Sequence, residues 1–226
     1  MEIDIWSDVV CPFCYMGKRK FEIALEQFPQ KDEVEVLWHS FQLDPGAKRL
    51  PGKDTHDYLA TKYGRDREWA KERNNEVAAR AKEVGLEYNF DTAVPTNTFD
   101  AHRLIQLAAA HGLQGKAEER LFAAYFTEGK DIGDHAALAQ LADEIGLDPG
   151  EVRTMLASTD YADSVKGDIE EAESLGINSV PFFVFNRKYA VSGAQPSHLF
   201  LETLKQVWED ERSVQDRPDE PVDKKS

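Results

Sequence analysis

Glu2-Ile3-Asp4-Ile5-Trp6-Ser7-Asp8-Val9-Val10-Cys11-Pro12-Phe13-Cys14 opens on one backbone period and leads into another. Residues 2 to 6 alternate apolar with polar, which predicts a strand with Ile3 and Ile5 on one face. Ser7 to Val10 then form a loop that delivers Cys11. From Pro12 onward Met16, Phe21, Ala24, Leu25 and Phe28 recur at three- and four-residue spacing until Pro29, the pattern of a helix that buries one side. A proline in the first turn suits such a start, because its missing N–H has no helical partner there. A second alternating run, Val34 to Phe41, ends at the turn Asp44-Pro45-Gly46. Strand, helix and strand in this order make a βαβ unit.

Beyond residue 50 the pattern becomes helical. Helices are predicted at about 55–63, 66–85, 98–111, 115–128, 135–145, 149–157 and 161–175, with Gly85, Gly112, Gly129, Gly146 and Gly176 placed as C-terminal stops. Strand pattern returns at Val180 to Phe185, turns at Asn186-Arg187 and comes back at Tyr189 to Ser192 before Gly193. An amphipathic helix follows from about Pro196 to Trp208. Residues 209–226 are charged, contain proline and lack periodicity, so a mobile tail is expected. The chain thus reads as an α/β domain split between residues 1–50 and 176–208. Residues 51–175 form an all-helical insertion whose last helix is free to pack on the outer pieces.

Charge and cysteine usage narrow the function. The 226 residues carry 42 acidic against 27 basic side chains, a formal charge of -15. Such a surface repels phosphate backbones and anionic lipid, so neither nucleic acid nor membrane is an expected partner. No stretch approaches the ~18 apolar residues of a membrane span, and the first residues lack a basic segment followed by an apolar one; a cytoplasmic location is expected. In a reducing compartment a CxxC is catalytic, redox-sensing or metal-binding rather than a structural disulfide. The chain has two cysteines, no second CxxC and no Cys-His pair at ligand spacing, and no metal is expected.

Two cysteines placed at random would fall three apart about once in a hundred times, so Cys11 and Cys14 point to chemistry. At a strand-to-helix junction, unpaired backbone N–H groups and the positive end of the helix dipole favour thiolate over thiol at Cys11. Cys14, about one turn further on, is placed to close an intramolecular disulfide against whatever Cys11 has captured. Pro12 and Phe13 between them carry no charge and are candidate substrate contacts. A second signal is Val180-Pro181 at the head of an apolar strand, where proline implies an edge, a bulge or a cis turn. His102 reads as a partnered helix residue before it reads as a base.

Ser7-Asp8-Val9-Val10-Cys11-Pro12-Phe13-Cys14-Tyr15-Met16-Gly17-Lys18-Arg19, the helical insertion, and Gly176-Ile177-Asn178-Ser179-Val180-Pro181-Phe182-Phe183 together resemble the DsbA family of thioredoxin-fold oxidoreductases. More narrowly they resemble its cytoplasmic FrnE-type branch. Asn97-Thr98 with Ala101-His102-Arg103-Leu104, Leu121-Phe122 with Ala124-Tyr125-Phe126, and Ser192-Gly193-Ala194-Gln195 add to the likeness, which spans about residues 2–208. The resemblance implies a thioredoxin-like fold with a large all-helical insertion and a cis Val180-Pro181 bond beside the cysteines. It also implies that the Val180 backbone can pair with an extended substrate. The same likeness brings Asn97 toward the site, although Asn97 equally suits a helix cap. Ser192 and Gly193 are a hairpin end that the resemblance makes a binding loop. Phe13 stands where the periplasmic members commonly carry histidine, which with the missing export signal points to a milder centre suited to reductase or isomerase work.

The expected activity is thiol-disulfide exchange on protein or small-thiol disulfides. It needs no metal or organic cofactor, only glutathione or another thiol to reset the pair. The sequence assigns no oligomeric state. Two other functions fit the same residues. One is a glutathione-dependent transferase or isomerase resembling the kappa-class transferases and 2-hydroxychromene-2-carboxylate isomerases; the other is a chaperone-like or zinc-binding protein.

Overall fold

β1 (Glu2–Ser7) lies at the centre of a sheet whose strands are ordered β2-β1-β3-β4 in a computed structural model describing residues 1–48 and 52–215. α1 (Pro12–Glu26) carries the chain back so that β2 (Glu35–Ser40) pairs parallel to β1, with Ile3 beside Val36 and Ile5 beside Trp38. β3 (Phe182–Phe185) pairs antiparallel on the other side of β1, and β4 (Tyr189–Ser192) closes the sheet as its hairpin partner. The βαβ opening and the ββ ending therefore share β1, across more than a hundred intervening residues. A mixed sheet interrupted by a large helical insertion is what the chain adopts, as the sequence leads one to expect.

Alternation decides which faces are covered. Ile3, Ile5, Phe183 and Phe185 are fully buried with Phe21 of α1 and with Phe200 and Leu204 of α9 (Ser197–Gln215). On the opposite face Trp6 stacks on His39 at 4.5 Å and donates its indole N–H to the Asp168 carbonyl at 3.1 Å. Asp168 belongs to α8 (Ala162–Ser174), the last helix of the insertion, and its carboxylate accepts from the Ser40 N–H at 2.7 Å and meets His39 Nδ1 at 3.1 Å. These polar bonds fasten α8 flat against β2.

The insertion comprises α2 (Thr55–Tyr63), α3 (Arg67–Lys82), α4 (Phe99–Ala110), α5 (Gln114–Phe126), α6 (His135–Glu144), α7 (Pro149–Ala157) and α8. Asp54, Asp66, Asp134 and Asp148 cap α2, α3, α6 and α7 through side-chain bonds to first-turn amides. Gly64, Gly85, Gly112, Gly146 and Gly176 adopt positive φ just beyond or near helix ends. One continuous apolar cluster joins Cys11, Cys14 and Tyr15 to the insertion's own core at Leu104, Leu121 and Phe126. The insertion is thus packed on the cysteine end of α1.

The final helix is longer than its apolar periodicity indicates. α9 continues past Trp208 to Gln215, so residues 209–215 are helical and not the start of a mobile tail. The cause is polar: the Tyr189 hydroxyl donates to Asp210, Asn186 Nδ2 donates to Glu211 at 2.5 Å, and the Ser213 hydroxyl donates to the Glu209 carbonyl. The hairpin turn therefore holds a charged extension that hydrophobic spacing cannot reveal. The rest of the expected tail, 216–226, and the expected domain boundary at 50–51 lie outside the described residues.

Candidate active site

Cys11 is the N-cap residue of α1, with extended backbone (φ -87°, ψ 113°) followed by Pro12 in the first turn. Its amide donates to the Asp8 carbonyl at 2.8 Å, and its carbonyl accepts from the Cys14 amide at 3.0 Å. That geometry turns the chain sharply from loop to helix and sets both sulfurs at the positive end of the helix. Both cysteines are free thiols and both are buried, Cys11 at 3 % exposure and Cys14 at 1 %. Burial, together with the neighbouring Cys11, holds the Cys14 thiol well above its ordinary pKa, against a smaller opposing pull from the Asp8 amide and the Ser7 hydroxyl.

The second wall comes from the far end of the chain. Val180-Pro181 is a cis peptide bond, and the Cys11 thiol donates to the Val180 carbonyl at 3.7 Å. Pro181 is fixed from behind, its carbonyl accepting from the Gly193 amide at 2.8 Å while Gly193 takes a positive φ of 80°. Gly17, one turn after Cys14, lets α1 meet this proline directly: a Cβ built at Gly17 would stand 2.7 Å from Pro181 Cγ and 3.5 Å from Phe183 Cζ.

The insertion supplies the roof. The Tyr88 hydroxyl donates to the Pro12 carbonyl at 2.7 Å, and the Arg80 guanidinium lies 5.3 Å from the Phe13 ring centre. Burial, with the nearby Cys11 charge second, raises the Tyr88 phenol far above its ordinary value, so it acts as a donor and not as an acid. Between this roof and the cysteines lies a cavity of about 450 Å³, with Cys11, Pro12, Phe13 and Val180 on its floor and Tyr58, Leu59, Trp69 and Val77 of α2 and α3 above. A larger surface depression of about 600 Å³ is lined by charged groups of α1 and α5, including Lys18, Glu119 and Arg120, and does not reach the cysteines.

A DSBA-like thioredoxin domain model matches residues 2–205. The chain belongs to that family. Among solved structures, a probable DsbA oxidoreductase from Streptomyces coelicolor is similar at 39 % identity, with a TM-score of 0.87 and coverage of 100 % of this chain and 95 % of its own. The uncharacterized protein YwbO of Bacillus subtilis is 31 % identical over 206 residues, covering 90 % of this chain and 96 % of YwbO. A 2-hydroxychromene-2-carboxylate isomerase shares the fold at 12 % identity, with a TM-score of 0.69, covering 95 % of this chain and 99 % of its own.

In this DSBA-like chain the remaining candidates divide. Asn97 is occupied within the fold: Oδ1 accepts from the Phe99 amide at 2.9 Å and from Gln42 Nε2 at 3.2 Å, and Nδ2 donates to the Pro45 carbonyl at 2.9 Å and to the Ala47 carbonyl at 3.3 Å. It ties the loop after β2 to the start of α4 and does not line the cavity. Ser192 and Gly193 likewise lie behind Pro181 and outside the cavity, where Gly193 positions the proline. His102 is completely buried and faces Asp8 Oδ1 at 3.4 Å. Desolvation pushes its pKa down, but the Asp8 carboxylate, Glu118 and the Phe41 backbone together outweigh this and the net direction is up.

Asp8 and Glu118 escaped the sequence reading because acidic side chains ordinarily face water. Asp8, three residues before Cys11, is 1 % exposed and also accepts from the Leu43 amide at 2.8 Å. Glu118 of α5, also 1 % exposed, is pushed up to about 7, chiefly by burial, against the pull of His102 and Lys18. Among the described residues no group of three His, Cys, Asp or Glu side chains is placed to hold a metal ion. No described helix is long and apolar enough to cross a membrane.

Proposed function

We propose that the protein is a thiol-disulfide oxidoreductase in which Cys11 attacks and Cys14 resolves. The observation carrying this reading is the placing of Cys11 at the start of α1, against the Val180 carbonyl, with Cys14 one turn behind it and held in its protonated form. The Cys11 thiolate bonds to one sulfur of a substrate disulfide as the S–S bond breaks, and the departing thiolate takes up a proton. Cys14 then attacks the Cys11 sulfur, its proton passing to the departing thiolate, and so closes the intramolecular disulfide and releases the second thiol. Two electrons pass to the substrate, and glutathione or another thiol returns them. Pro12, Phe13, Val180 and Pro181 surround the exchanging sulfurs; no metal or organic cofactor enters. This chemistry suits a reducing, cytoplasmic setting, where the dithiol is continually renewed.

The test is equilibration of the pure protein in glutathione redox buffers, followed by acid quench, alkylation and mass spectrometry. A reversible Cys11-Cys14 disulfide is expected, with Cys14→Ala accumulating a mixed disulfide with glutathione and Cys11→Ala forming none. Full exchange activity in Cys11→Ala would sink the assignment. The cavity beside Cys11 favours one second reading, a glutathione-dependent isomerase or transferase. Its mark would be such an activity surviving in Cys14→Ser.

A further inference from the structure

Cys11, with 3 % of its surface exposed, is reached through the cavity under α2 and α3, and the residues above it decide what can arrive. A volume of about 450 Å³ is that of a small-molecule site. Its walls are chiefly apolar, including Val10, Phe13, Leu59, Val77, Phe90 and Val180. The charged side chains that line it balance, Asp8 and Asp44 against Lys62 and Arg73. Lys62 lies over the Tyr58 ring, whose hydroxyl donates to Asp44 at 2.6 Å, and Arg73 pairs with Glu76 at 2.9 Å. Asp8 faces His102 and the Leu43 amide. With a formal charge of -15 on the whole chain, nothing here draws in a multiply anionic ligand.

One polar group stands out against this lining. Tyr125 of α5 is 4 % exposed and lines the cavity, yet its hydroxyl makes no hydrogen bond with any described residue. Tyrosine hydroxyls this deeply placed ordinarily find a partner, so the donor is left for something that enters.

We propose that the substrate brought to Cys11 is a small, uncharged, largely apolar disulfide carrying a hydrogen-bond acceptor, held under α2 and α3 with its acceptor on the Tyr125 hydroxyl. This rests on the thiol-exchange reading above and gives it a substrate class. One substrate sulfur bonds to Cys11 Sγ while its S–S bond breaks, and the other leaves as a thiolate that takes up a proton. Attack by Cys14 on Cys11 Sγ releases the first half as a thiol. The protein dithiol is oxidised, the substrate is reduced to two thiols, and a low-molecular-weight thiol restores the centre.

The probe is 2,2′-dithiodipyridine, a neutral aromatic disulfide with ring-nitrogen acceptors, mixed with reduced protein and followed by thione absorbance. Each rate is divided by that of the same disulfide with free dithiothreitol, alongside glutathione disulfide and insulin. Expected are saturation with the probe and a normalised second-order constant at least about tenfold above both comparators. Tyr125→Phe, which removes no bond to any described residue, should raise the half-saturating concentration about three- to tenfold at an unchanged limiting rate. Leu59→Trp, which fills the cavity, should abolish saturation. Calorimetric titration of the Cys11→Ser, Cys14→Ser double variant with the same probe measures binding without exchange. Exchange that is linear in probe, indifferent to Tyr125→Phe and accompanied by no binding to the double variant would overturn the substrate class and leave the oxidoreductase reading standing. Binding to the double variant with no exchange in the native protein would overturn the oxidoreductase reading, and the disulfide nature of the ligand with it.

Discussion

Gly17 and Pro181 touch so closely that no side chain fits between them: a Cβ on Gly17 would lie 2.7 Å from Pro181 Cγ. The contact joins the cysteine helix to the cis-proline loop, two segments more than 160 residues apart in sequence, the same two segments between which the Cys11 thiol meets the Val180 carbonyl. Gly17→Ala should cost roughly 1–3 kcal/mol, the usual penalty for overpacking a closed contact. Because the pyrrolidine ring is stiff, the displacement should also fall on the active-site wall. Urea unfolding should show the loss in stability, and thiol exchange with glutathione disulfide should slow in step.

Cys14 should resist alkylation in the folded, reduced protein. Its thiol is held well above the usual range by burial and by Cys11, and at 1 % exposure it offers little surface to a reagent. Iodoacetamide at pH 8 followed by peptide mapping should find label on Cys11 and almost none on Cys14 until denaturant is added. Equal labelling of the two would contradict the division of roles.

Stability should fall as pH rises from about 5 to about 8, in part because of Glu118. Its carboxyl is lifted from 4.5 to about 7 by burial, so the folded state holds a proton that the unfolded chain has given up. Between those two values folded protein binds more protons than unfolded, and unfolding becomes easier with each unit of pH. The shift corresponds to about 3 kcal/mol at full ionisation. His102, also shifted upward, loses its contribution in the same direction, so Glu118→Gln should flatten the dependence without abolishing it. Urea midpoints at pH 5 and pH 8 for the two proteins check the sign, the variant gaining on the native protein at the higher pH.

Tyr88→Phe should loosen the roof. The change removes the hydrogen bond to the Pro12 carbonyl, worth about 1 kcal/mol, and leaves the ring to pack on Phe126 at 4.5 Å. Thermal unfolding should record a small loss of stability, and Cys11 should be alkylated faster as the insertion opens more often. An unchanged alkylation rate would mean that the bond does not hold the insertion over the cysteines.

Much of this architecture is written in local sequence. The alternation of residues 2–6, the Cys11-Pro12 junction, the glycine stops at Gly85, Gly112 and Gly146, and the hairpin at Asn186-Arg187 each depend on backbone preferences within a few residues. Strands and helices of the sequence reading accordingly appear within a few residues of their expected places, and the CxxC lies where the strand-to-helix switch puts it. The length of α9 is the exception. It is set by Asn186 and Tyr189 reaching Glu211 and Asp210 from another element, which no apolar periodicity encodes.

The identity and spacing of Cys11 and Cys14 were determined by the sequence alone, because a helix of known pitch fixes what three residues of separation mean. Only the tertiary structure decided what surrounds them. Asp8, Glu118 and Tyr125 look like ordinary surface or core residues until folding takes them out of water. Gly17 looks like an unremarkable helix glycine until Pro181 arrives against it. Asn97 moved the other way, from candidate contact to a brace between two loops. Desolvation and close approach are properties of the assembled core, in which side chains far apart in the chain meet, and a single stretch of sequence carries neither.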